Sequence, residues 1–88
     1  MNQNLAEAIL FTQDIKKNKS ILQVILFGSV ARGDENSYSD IDIAIIHDSE
    51  DKFSLMQEVN KNQPRKIQTT FVHIKDLPKE TELVVALS

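Results

Sequence analysis

The chain predicts a small α/β (α+β) domain, a mixed β-sheet flanked by helices, and three features of its 88 residues say so. Apolar residues near the start recur at helical spacing. Three short runs are rich in β-branched residues and have the length of strands. Helix-like and strand-like segments then alternate along the chain, the order of a layered α/β fold.

Leu5, Ala8, Ile9, Thr12 and Ile15 share one helical face, so an amphipathic helix is expected from about residue 4 to 17, covering one face of the sheet. Lys16, Lys17 and Lys19 follow as a solvated end that complements the helix dipole. The run from Ile21 to Phe27 is apolar and β-branched, and it reads as a buried central strand. A short helix is expected from Ser29 to Gly33, and a polar loop over 34–38. From Ser39 to Ile46 the residues alternate, with Ile41, Ile43 and Ile45 on one side and Asp40, Asp42 and Ala44 on the other. Ser49-Glu50-Asp51 signals the start of a helix to about Asn62, with Phe53, Leu55, Met56 and Val59 facing inward. Gln63-Pro64-Arg65 breaks that helix, and a third strand follows from Lys66 to Ile74. Pro78-Lys79-Glu80 opens a last helix with proline and an acid in its first turn. That helix stops while still apolar, so its face is expected to pack on a partner or to continue in a longer chain. The expectation is one domain over 1–88, truncated at its C-terminal helix.

Composition narrows the function classes. A domain this small buries only about 60–65% of its unfolded surface and has a thin core. The net charge of −3 and the scattered Lys and Arg residues argue against direct contact with a nucleic-acid backbone, which calls for a basic stripe. The absence of cysteine excludes a disulfide framework and a thiolate metal site, and it fits a reducing compartment. No apolar run reaches the ~18–20 residues of a membrane helix, so the expected location is cytoplasmic.

The chemistry concentrates in Gly28-Ser29-Val30-Ala31-Arg32-Gly33 and, a few residues on, Ser39-Asp40-Ile41-Asp42-Ile43. Gly28 ends a strand, and without a Cβ it lets the chain turn sharply and a phosphate come close. Ser29 is a preferred residue for starting a helix, whose first free N–H groups attract an anion. Its hydroxyl adds a contact, and Arg32 lies on the same helix face within reach of a phosphate or carboxylate. Asp40 and Asp42 share a strand face with Cα atoms roughly 6.5 Å apart, a span that two oxygen ligands of one Mg²⁺ or of a close metal pair can cover. Without a cation the two carboxylates repel each other.

This pattern, GS, one residue, ARG, a polar spacer and SDID, resembles the signature of the DNA polymerase β-type nucleotidyltransferase superfamily and in particular its minimal (MNT) branch. The resemblance is close from Gly28 to Asp42, and the order of elements extends it over nearly the whole chain. It implies a polymerase β-like nucleotidyltransferase fold. It also implies that Gly28 and Ser29 bind a triphosphate, and that Asp40 and Asp42 are the catalytic acids and the Mg²⁺ ligands. Arg32 and Ser39 complete the candidate nucleotide-binding set. The implied reaction moves AMP from ATP to a hydroxyl. The minimal branch further implies an antitoxin that modifies a HEPN-type protein partner, as part of a homo- or hetero-oligomer. A chain this short has no acceptor lobe, which fits an acceptor presented by another protein.

One departure opens a second reading. Fully active members of the family carry a third carboxylate on a later strand, whereas the strand from Lys66 to Ile74 has no Asp or Glu. Gln68 and Thr70 are the candidates for its place, and Asp76 just beyond reads as a turn residue. The alternative is therefore a weak or inactive nucleotidyltransferase-fold module that neutralises its partner by contact alone. Other motifs fail. No Lys and Ser/Thr pair follows Gly33, so there is no Walker A loop, and Arg32-Gly33-Asp34 is an incidental adhesion tripeptide. His47 and His73 end two strands and are expected to be ordinary surface histidines, with a metal pair as the alternative only if the strands bring them together. Tyr38, just before the acids, is expected to cover its loop or stack on a base or ribose.

Overall fold

The computed structural model describes residues 3–33, 40–77 and 85–86. In chain order its elements are α1 (Gln3–Ile15), β1 (Ile21–Phe27), α2 (Gly28–Arg32), β2 (Ile41–His47), α3 (Lys52–Asn60), β3 (Ile67–His73), a 3-10 turn (Ile74–Asp76) and β4 (Val85–Ala86). The sheet runs β3-β2-β1-β4. β1 pairs antiparallel with β2 and with β4, and β2 pairs parallel with β3. The parallel step requires a crossover, which α3 supplies.

Alternation along β2 sets the core. Ile41, Ile43 and Ile45 are each fully buried, and they pack in one cluster with Val24 and Leu26 of β1 and Ile67 of β3. Ala8, Phe11 and Ile15 of α1, Val30 of α2, and Leu55 and Val59 of α3 belong to the same cluster. Burying each such aliphatic side chain contributes about 1.5–3 kcal/mol. The alternate residues of β2 and β3, including Asp42, Gln68 and Thr70, stand on the opposite face of the sheet, where Gln68 and Thr70 are exposed. The helix side therefore carries stability, and the other side is left for chemistry.

Two side-chain devices secure the helices. Thr12, buried in α1, donates its hydroxyl to the Ala8 carbonyl at 2.8 Å, so it adds no unpaired polar group to the core. Asp51 caps α3 by accepting from the Ser54 N–H at 3.1 Å and the Ser54 hydroxyl at 2.8 Å. Those bonds hold its carboxyl below the usual range. The Asn18 amide also donates to Glu58, which ties the end of α1 to α3.

Several expectations change. α1 ends at Ile15 rather than near 17, and its buried face includes Phe11 and Asn4 besides Ala8, Thr12 and Ile15. Phe53, expected inside, is 71% exposed, because α3 turns only Leu55 and Val59 fully into the core. Val85 and Ala86 do not continue a helix. They form β4, paired with Leu26 and Ile25 at the edge of the sheet, so backbone bonding to an available strand prevails there over the local helical signal. The polar loop with Tyr38 and Ser39, and the proline-led segment over 78–84, lie outside the described residues.

Candidate active site

The site is built where β1 ends and β2 begins. Antiparallel register sets Phe27 beside Asp42, so Gly28, the next residue of the turn, lies against the Asp42 side chain. Gly28 has φ +73°, a left-handed conformation that an L side chain rarely adopts. A Cβ on Gly28 would lie 3.3 Å from the Asp42 Cγ and closer still to its Oδ2. The glycine is therefore required twice, by its own backbone and by the carboxylate that fills the space a side chain would take. Gly33, with φ +78°, ends α2, and its N–H donates to the Val30 carbonyl at 3.2 Å.

Asp42 is half-buried and Asp40 exposed. Asp40 directly precedes β2, and Asp42, the second residue of that strand, stands on the face away from the core isoleucines. The backbone of Ser29 lies in α2, and Arg32 is the exposed last residue of that helix. The structure thus brings Gly28 and Asp42 into contact and keeps Ser29 and Arg32 on the short helix that follows. Ser39 is outside the described residues.

Parallel register decides between the two candidates for the missing acid. Gln68 is the Cα partner of Asp42, whereas Thr70 stands opposite Ala44, one pleat further on. Gln68 is exposed, and its side-chain amide donates a long bond, 3.4 Å, to the Arg65 carbonyl. An amide oxygen at that place can ligate a cation or a bound water but cannot act as a base. Asp76 follows β3 in the 3-10 turn, at the other end of that strand from Gln68, which agrees with its reading as a turn residue.

The histidine expectation is corrected. Parallel pairing makes His47 and His73 neighbours, with ring centroids 5.2 Å apart. His47 is 1% exposed rather than on the surface. The signal was present in the sequence, since His47 continues the odd-numbered face of Ile41, Ile43 and Ile45.

Residues 11–85 match the family model described as Polymerase beta, Nucleotidyltransferase, and the chain belongs to that family. A crystal structure of a candidate nucleotidyltransferase from Sulfolobus solfataricus is similar in fold, with a TM-score of 0.71 and 24% identity over 93% of this chain and 77% of that one. No curated protein matches the chain significantly. The fold is thus the polymerase β-like one, and the general activity attached to the family is nucleotidyl transfer.

Polymerase β-type nucleotidyltransferases generally use divalent metals, and the residues here fit one such ion. The carboxylates of Asp40 and Asp42 are hard oxygen donors one residue apart, both reached by solvent, and Gly28 puts no side chain against the Asp42 carboxylate. Among the described residues no group of three or more His, Cys, Asp and Glu side chains gathers as a metal site. The donor set is two carboxylates with a neutral amide in register beside one of them.

Proposed function

We propose that the domain is an Mg²⁺-dependent nucleotidyltransferase that moves AMP from ATP to a hydroxyl on a protein partner, as the MNT antitoxin of a HEPN/MNT pair. The observation that carries this reading is the contact between Gly28 and Asp42. It holds an acid at the mouth of a turn whose backbone a triphosphate can approach. A scaffold alone would gain nothing from a position kept as glycine to make room for a carboxylate, or from two like charges one residue apart.

In this reading Gly28 and Ser29 receive the triphosphate, Arg32 and Ser39 assist, and Asp40 and Asp42 hold Mg²⁺. The ion supplies neutralisation of the charge on the phosphates and on the departing pyrophosphate. One bond forms, from the acceptor oxygen to the α-phosphorus, and the α–β phosphoanhydride bond breaks. Because Gln68 cannot take the hydroxyl proton, that proton passes to one of the two aspartates or to solvent. The remainder of the catalysis is alignment. A cytoplasmic setting fits a partner of this kind.

Gln68 at the place of a third acid favours the second reading, a module that neutralises its partner by contact. Mass spectrometry separates the two. Incubation with ATP, Mg²⁺ and the HEPN-type partner is expected to add one AMP to the partner, and Asp42→Asn to abolish the addition. If Asp40→Asn and Asp42→Asn proteins still neutralise the partner, contact suffices.

A further inference from the structure

β3 lies at one edge of the sheet, and the register tells which of its backbone groups face outward. The Ile41 N–H donates to the Lys66 carbonyl at 2.9 Å, so the backbone groups of Lys66, and with them those of Gln68, Thr70 and Val72, point toward β2. Those of Ile67, Thr69, Phe71 and His73 point away from the sheet. Ile67 is already satisfied, because its N–H donates to the Pro64 carbonyl at 3.1 Å and its carbonyl accepts from the Gln63 side-chain amide at 2.6 Å. Among the described residues no strand pairs with Thr69, Phe71 or His73 on that side. Open grooves of about 490 and 480 Å³ flank the two halves of β3, lined in part by Phe71 and His73 and by Ile67 and Thr69, so the edge is reachable.

β3 also lacks the devices that keep an edge from pairing. From Ile67 to His73 there is no Lys, Arg, Asp or Glu, no proline and no shift of register against β2, whereas natural sheets normally protect a long edge by one of these. β4, at the other edge, is only Val85–Ala86 and is too short to act as a template.

We infer that β3 pairs antiparallel with β3 of a second copy of this chain, about a twofold axis at Phe71, and so joins the two sheets into one. The choice of occupant rests on symmetry. Thr69, Phe71 and His73 are evenly spaced, so pairing centred on Phe71 sets Thr69 against His73 in both directions and Phe71 against itself, and each open N–H meets a carbonyl. Pairing centred on Thr70 would instead set His73 against Ile67, whose groups are used. Phe71 is only partly buried against the core, and its remaining surface meets the same ring of the other copy. At each end Arg65 and Lys66 of one copy approach the turn that carries Asp76 in the other, where Lys75 is matched by Glu50 at 3.6 Å. Gly28, Asp40 and Asp42 take no part, so this interface stands or falls apart from the transferase reading.

Sedimentation of the full chain and amide hydrogen exchange test it together. The expected mass is twice 10.0 kDa, falling toward the single value on dilution. The Thr69, Phe71 and His73 amides are expected to be protected in the dimer and to lose that protection as it dissociates. Thr69→Pro removes an outward N–H and leaves the bonds to β2 in place, a position where an edge strand tolerates proline, so the variant is expected to fold and to sediment as a monomer. Should it fail to fold, exchange in the parent protein decides. A parent chain that stays at 10.0 kDa at every concentration overturns the proposal. So does a dimer that Thr69→Pro leaves intact, or one whose Phe71 amide exchanges freely. Protection that appears only when the HEPN-type protein is added assigns the edge to that protein and overturns the pairing of copies as well.

Discussion

The carboxylate of Asp42 occupies the space where a side chain on Gly28 would stand. Neither residue can change without the other responding, which joins the turn after β1 to the first acid-bearing strand.

Gly28→Ala is expected to cost stability and ligand binding together. A left-handed φ costs an L residue about 1–2 kcal/mol, and the added methyl must also displace Asp42. Chemical denaturation should show the loss, and calorimetry should show weakened uptake of Mg-ATP. A variant as stable as the parent that binds Mg-ATP equally well would contradict the contact.

Asp42→Asn is expected to separate stability from function. Without a cation the mutual repulsion of Asp40 and Asp42 is relieved, so the melting temperature in a chelator should hold or rise. The stabilisation added by Mg-ATP should disappear, since a ligand raises stability only through the state it binds.

Gln68→Glu tests the missing acid directly. Register sets residue 68 beside Asp42, so the new carboxylate adds a third hard ligand and a base. Tighter Mg²⁺ binding and faster AMP transfer are expected, at some loss of stability in metal-free buffer. Unchanged Mg²⁺ affinity would show that position 68 does not reach the ion.

His47 makes stability depend on pH. Burial lowers its pKa below the ordinary value of about 6.5, with His73 and Lys52 adding to the effect and Asp48 opposing it. Above the unfolded value both states are neutral and nothing changes. As pH falls through that value the unfolded chain takes up a proton that the native chain refuses, so stability falls until the lower native pKa is reached. Thermal unfolding between neutral pH and the mid-acid range should show this slope, and His47→Gln should remove part of it.

Ile43→Ala is expected to destabilise by about 2–5 kcal/mol, because Ile43 is fully buried at the centre of the sheet. Phe53→Ala, at a position 71% exposed, should change stability little. Urea midpoints of the two variants check the contrast.

Local periodicity was enough to read β1 to the residue, to bury Ile41, Ile43 and Ile45, and to set Asp42 on the opposite face of β2. It also located the glycine turn and the family resemblance, since both lie within one short stretch of chain. Such patterns report which way a side chain points from its own element. They say nothing about which residue of another element stands beside it.

Those neighbours depend on strand order and register, which the whole sheet settles at once. The tertiary structure therefore decided that Gln68, not Thr70, accompanies Asp42, and that Asp42 fills the space over Gly28. It paired His47 with His73 and turned Phe53 outward. It also made Val85 and Ala86 an edge strand, because unpaired backbone groups on β1 favour a strand partner over an isolated helical end.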